Sequence, residues 1–145
     1  MPTVSRSALV PHSAEQMFEL VADVDRYQEF LPWCGESRVL SREQDELKGC
    51  IVIAKAGIER SFTTVNRFQH GKMMEIRLIE GPFRHLEGFW RFQALRPDAC
   101  KVSLDLDFEF ANRVITMAFG KVFTQIANTL VDAFVKRADE VYARR

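Results

Sequence analysis

Two periodicities divide the chain. Between about residues 36 and 110 apolar and polar positions alternate with period two, and on either side apolar positions recur at helical spacing. The alternation is clearest near the end of the first pattern. There Val102, Leu104, Leu106, Phe108 and Phe110 interleave with Lys101, Ser103, Asp105, Asp107 and Glu109. One face is then buried and the other wet, as in an antiparallel meander. Segments near 36–43, 47–56, 58–70, 72–80, 86–96 and 99–110 are strand-length, and Gly57, Gly71, Gly81-Pro82 and Pro97-Asp98 supply turn chemistry between them. Residues 3–10 predict a first strand, ended by Pro11.

The helical stretches carry their own start and stop signals. Ser13-Ala14-Glu15-Gln16 is a capping box, and the helix it opens has Met17, Phe18, Val21 and Val24 at helical spacing. Asp25 is expected to cap a second short helix holding Tyr27, Phe30 and Leu31, which Pro32 stops. Residues 112–142 predict one long amphipathic helix, about 45 Å at 1.5 Å per residue. Phe119, Phe123, Ile126, Leu130, Phe134 and Val141 form its apolar stripe, and Asn112 its N-cap. Gly120, a weak helix former, is where a kink or break is expected. The order strand, two short helices, six strands, long helix predicts an α+β domain whose curved antiparallel sheet wraps the last helix. The space between sheet and helix is filled by side chains or by a ligand.

Composition narrows the function classes. One domain spanning 1–145 is expected, and 47% hydrophobic with 28% charged residues is ordinary for a globular chain. Twenty basic and twenty acidic residues cancel, so a dedicated nucleic-acid binder is not suggested and no DNA partner is expected. Cys34, Cys50 and Cys100 are odd in number and scattered, which indicates neither a disulfide framework nor a zinc site and fits a reducing cytoplasm. The N-terminal stretch has no apolar signal region, and no run approaches the ~18 to 20 continuous apolar residues of a membrane span.

Several ordered pieces resemble a known family. They are Phe18-Glu19-Leu20-Val21-Ala22-Asp23-Val24, Tyr27, Phe30-Leu31-Pro32-Trp33-Cys34, the run from Gly81 to Phe92, Phe108-Glu109-Phe110, and Ala133 to Ala138. Together they resemble the coenzyme Q-binding protein family of START-like domains, which also takes in bacterial ribosome association toxins (RatA). The resemblance runs from about Thr3 to Tyr142. It implies a helix-grip (START / Bet v-like) fold of about seven strands over an apolar tunnel. It also implies ubiquinone as bound ligand, with a role supporting respiratory electron transfer and no other cofactor. A second implied activity is binding of the large ribosomal subunit that blocks subunit joining. The wider polyketide cyclase/dehydrase superfamily adds a cyclase-type enzyme as a third. Location would be cytoplasmic, with peripheral contact at the inner membrane.

The residues leave core and pocket readings open. Trp33 and Trp90 offer flat walls to a quinone ring or simply pack, and Gly88 beside Trp90 is expected to leave room for a ligand. Arg60, Thr64 and Asn66 share the parity of Ile58, Phe62 and Phe68. They are either inward donors for quinone oxygens or displaced to solvent by a bulge. Lys55 shares the same ambiguity, and Arg137 lies at the edge of the helix stripe. The candidate ligand-binding set is Trp33, Arg60, Phe62, Thr64, Asn66 and Trp90 with the inward positions Phe92, Leu106, Phe108, Phe119, Phe123, Ile126 and Leu130. Phe83 beside Arg84 is a loop residue that either touches lipid or turns inward. Arg6, Arg38, Arg77, Arg84, Arg144 and Arg145 would serve a ribosomal surface. His12, His70 and His85 have no partner at a recognisable spacing and read as surface histidines. Asp105, Asp107 and Glu109 alternate with apolar residues as a solvated face rather than a cation site. No nucleophile–base pair, paired-carboxylate motif or phosphate loop appears, so neither catalytic residues nor a metal are expected.

Overall fold

A computed structural model describes residues 3–55 and 57–142. The first strand, Thr3–Val10 (β1), leads into Ala14–Ala22 (α1), a 3-10 turn at Val24–Arg26 and a single helical turn at Tyr27–Phe30 (α2). Six strands follow: Cys34–Arg42 (β2), Glu46–Lys55 (β3), Ile58–Gln69 (β4), Met73–Glu80 (β5), Phe83–Arg96 (β6) and Ala99–Phe110 (β7). The chain ends in the helix Arg113–Tyr142 (α3). All seven strands form one antiparallel sheet in the order β1-β7-β6-β5-β4-β3-β2. This is the helix-grip arrangement, in which α3 packs on β1, β7 and α1.

Local chemistry sets the element ends. Ser13 accepts from the Gln16 amide while its own amide donates to Gln16 Oε1, each at 3.0 Å, closing the capping box. Asn112 Oδ1 accepts from the Ile115 amide at 2.9 Å and starts α3. Gly120 does not break that helix. It is buried within the continuous α3, and a Cβ there would lie in ordinary contact, 3.6 Å from a Phe110 ring carbon. Asp25 does not cap α2. Its carboxylate instead accepts from the Val39 amide at 2.9 Å, tying the short helices to β2.

The period-two pattern of β7 holds in three dimensions. Val102, Leu104, Leu106 and Phe108 are buried on the side that meets α3. Asp105, Asp107 and Glu109 line the outer face, beside Arg91 at 3.1 Å, His85 at 3.6 Å and Arg84 at 3.0 Å respectively. Exposed pairs of this kind contribute little each, about 0–1 kcal/mol. Phe83 opens β6 and faces inward, so no aromatic side chain projects from the loop before it. His12 also departs from the surface reading. It is buried, and its Nε2 lies 2.8 Å from Asp139 Oδ1, a partner 127 residues away.

Candidate functional site

Phenylalanine rings pack most of the space between sheet and helix. Phe123 of α3 lies 4.8 Å from Phe83, 4.9 Å from Phe108 and 5.8 Å from Phe119, ring centroid to centroid. Phe62 and Phe110 close the same cluster. A second group sits beneath the C-terminal half of α3. There Trp90 stacks on Phe92 with an interplanar angle of 7° and meets Phe134 edge-on at 5.3 Å. Tyr27 and Phe30 cover the other side of Phe134. Edge-to-face contacts suit the ring quadrupoles and add roughly 0.5–1.5 kcal/mol per pair beyond burial.

The expected ligand set therefore divides. Phe62, Trp90, Phe92, Leu106, Phe108, Phe119, Phe123 and Ile126 are buried in these packed groups, while Leu130 is half-buried at their margin. Gly88 does not open a space. A Cβ there would fall 2.7 Å from Leu106 Cδ1 and 3.1 Å from the Asp105 carbonyl, so Leu106 already occupies the gap. Thr64 and Asn66 do face inward. Both are buried, and the Thr64 hydroxyl donates to Asn66 Oδ1 at 2.9 Å, so the pair is joined within an apolar surround. Arg60 does not join them. It is exposed because β4 runs past its β5 partner, whose pairing begins at Thr63↔Glu80, leaving the β3–β4 tip without a neighbour on that side.

An open pocket of about 560 Å³ lies where that tip approaches α3. Its apolar wall is Phe30, Pro32 and Trp33, positioned by the end of α2 and the Ala54 amide, which donates to the Trp33 carbonyl at 2.8 Å. Thr129, Asp132, Ala133, Lys136, Arg137 and Glu140 of α3 face it, with Lys55 and Glu29 at the rim. Arg137 is held there: its guanidinium carbon sits 4.9 Å over the Phe30 ring, and it bridges to Glu29 at 3.2 Å and Glu140 at 3.8 Å. Lys55 and Lys136 add cations near a flat apolar wall. Of the expected set, Trp33 lines this pocket. Sequence reasoning weighed Lys55 and Arg137 but missed Phe30, Ala133 and Lys136. The available signal was that Ala133 stands one turn before Arg137 on α3 and Phe30 lies two residues before the helix-stopping Pro32.

Burial shifts the pKa values of one phenol and two thiols inside the core. The Tyr27 hydroxyl donates to the Val21 carbonyl, and burial pushes the phenol's pKa upward, with Asp23 and then Cys34 reinforcing it. A raised folded-state pKa gives stability that is fully present below the unfolded value of about 10 and is lost as pH climbs above it. Tyr27→Phe should accordingly show a shallower fall in stability between about pH 10 and 12 than the parent, measured by urea unfolding. Equal slopes would show that Tyr27 carries no such linkage. Burial likewise raises the Cys34 and Cys100 thiols. Among the described residues no group of three His, Cys, Asp or Glu could hold a metal ion.

The described arginines among those suggested for a ribosomal surface are engaged by neighbouring side chains. Arg38 pairs with Glu36 at 2.8 Å, Arg77 with Glu75 at 3.0 Å and Arg84 with Glu109 at 3.0 Å. Arg6 donates to Asn128 Oδ1 at 3.2 Å. Arg144 and Arg145 lie outside the described residues.

The family model described as polyketide cyclase / dehydrase and lipid transport matches residues 10–135. The chain belongs to this family. Ribosome association toxin RatA of Escherichia coli K12 is 46% identical over 145 residues, covering all of this chain and 92% of that protein. The mitochondrial coenzyme Q-binding protein COQ10 homolog B of Xenopus laevis is 30% identical over 97% of this chain, which spans 59% of that longer protein. The Zhui aromatase/cyclase of Streptomyces sp. R1128 superposes with a TM-score of 0.81 at 19% identity, over 99% of this chain and 98% of that one, a likeness of fold alone. The family of the chain and its START-like architecture thus agree with the resemblance drawn from sequence.

Proposed function

We propose that this protein binds a ring-and-tail lipophile, ubiquinone the favoured one, and carries it without transforming it in support of respiratory electron transfer. The observation that carries the reading is the pocket with Phe30 and Trp33 as its wall and Lys55 and Lys136 on its rim. A quinone head needs a flat apolar surface and one or two donors, and those residues supply both. The half-buried side chains Ile51, Ile58, Ile76, Leu78 and Leu130 fringe the packed core and offer apolar surface to an isoprenoid tail. Tail burial contributes roughly 25 cal/mol per Å². The kinship with a coenzyme Q-binding protein supports the same ligand. Thr64 and Asn66 would meet the ligand only after the tail had displaced side chains above them.

A second reading, association with the large ribosomal subunit that blocks subunit joining, is favoured by 46% identity to a RatA protein over all of this chain. Both activities are compatible with a cytoplasmic protein that needs no cofactor. The test is titration of the pure protein with short-tailed ubiquinone, followed by recovery of the quinone, alongside sedimentation with purified large subunits. Saturable binding, unchanged quinone and at least tenfold weakening by Trp33→Ala are expected. Trp33→Ala binding quinone as tightly as the parent would overturn the pocket assignment. A folded protein that binds no quinone but sediments with large subunits would transfer the function to the ribosome.

A further inference from the structure

The first half of α3 carries more apolar surface than the domain covers. By length and composition α3 contains an eighteen-residue window apolar enough to cross a bilayer, yet only 28% of that window is buried. Val114 is 75% exposed and Met117 81%. At 100° per residue Val114, Met117, Ala118 and Lys121 share one face, with Arg113 at its edge. Phe119, Phe123 and Ile126 take the opposite face and anchor the helix in the core. The exposed face is thus held outward by the packing of the buried one.

Charge decides what fits there. From Asn112 to Val131 the chain has no carboxylate, and its charges are Arg113 and Lys121. Neither has a hydrogen-bond or ion-pair partner among the described residues. The nearest carboxylate before the helix, Glu109, is engaged by Arg84. Arg113 and Lys121 stand one turn to either side of Met117, so two unpaired cations bracket the apolar strip. A water-facing surface of this kind would ordinarily mix charges of both signs. A second copy docked about a two-fold axis would bring like cations together, and RNA would leave Val114 and Met117 unused.

We infer that the first turns of α3 dock on an anionic lipid bilayer. Val114 and Met117 enter the head-group boundary, and the long stems of Arg113 and Lys121 let their charged ends reach lipid phosphates. The protein then lies on the membrane by its helix while the pocket between α2 and the C-terminal half of α3 stays separate.

The experiment is sedimentation of the pure protein with vesicles of phosphatidylglycerol mixed into phosphatidylcholine, and with phosphatidylcholine alone, both free of quinone. Binding to the anionic vesicles that weakens with salt is expected, with little binding to the neutral ones. Arg113→Gln and Lys121→Gln should each weaken it about fivefold. Val114→Ser combined with Met117→Ser should remove it at unchanged melting temperature. Absence of binding by the parent protein would overturn the inference, as would full binding by the serine variant. So would conversion of a solution dimer to monomer by the same serines, since a second copy would then cover the face. Because the vesicles hold no quinone, failure here leaves the pocket reading standing, and failure of quinone binding leaves this one standing.

Discussion

Gly81→Ala is expected to destabilise the protein by about 2–5 kcal/mol, from backbone strain and overpacking together. Gly81 adopts φ 152° in the β5–β6 turn, a conformation that side chains other than glycine's rarely accept. A Cβ there would also fall 2.6 Å from Phe62 Cβ and 3.2 Å from Phe62 Cα. The nearer contact is with the base of a side chain and the farther with backbone, so neither can swing away. Phe62 in turn meets Phe83 at 5.7 Å, which lets the strain spread into the aromatic cluster. Chemical denaturation measures the effect. A change below about 0.5 kcal/mol, the range of neutral surface substitutions, would show that the turn can be rebuilt without glycine.

Phe123→Ala should cost about 3–5 kcal/mol, the range for removing a phenylalanine from packed core. Its ring contacts those of Phe62, Phe83, Phe108, Phe110 and Phe119, which come from β4, β6, β7 and α3. Rings fixed from four elements cannot collapse together into the vacated volume. Leu130→Ala makes the comparison. Leu130 is half-buried, so its loss should be roughly half the about 2–5 kcal/mol of a buried leucine. Equal costs at the two sites would mean that the apparent margin at Leu130 is closed. A small cost at Phe123 would mean that the cluster is the wall of an opening rather than its filling.

These expectations bear directly on how the fold can host a ligand. In a START-like domain the sheet and helix can enclose a tunnel, but here Phe83 and Phe123 meet at 4.8 Å across that space. Trp90 illustrates the consequence. As a stacked core residue, its replacement by alanine would report mainly on stability, and Trp33 at the pocket mouth is the sharper probe of binding. The polar pair Thr64 and Asn66 is similarly inside but already joined.

Much of the architecture was legible in the chain because it rests on local chemistry. A period of two places alternate residues on opposite faces, so β7 could be read with its buried and wet sides assigned. The capping box at Ser13 and the cap at Asn112 lie within three residues of the groups they satisfy, and both form. What only the tertiary structure decided depends on partners distant in sequence or on stagger between strands. Parity put Arg60 inside, but β4 outruns β5 there and the arginine reaches water. Gly88 read as empty space until pairing with β7 brought Leu106 into it. His12 looked solitary because Asp139 stands 127 residues away. The same limit governed the site: an apolar stripe on α3 and an inward face on the sheet are compatible with core or cavity. What separates them is the distance between rings from separate elements, such as the 4.8 Å between Phe83 and Phe123, and sequence spacing does not encode it.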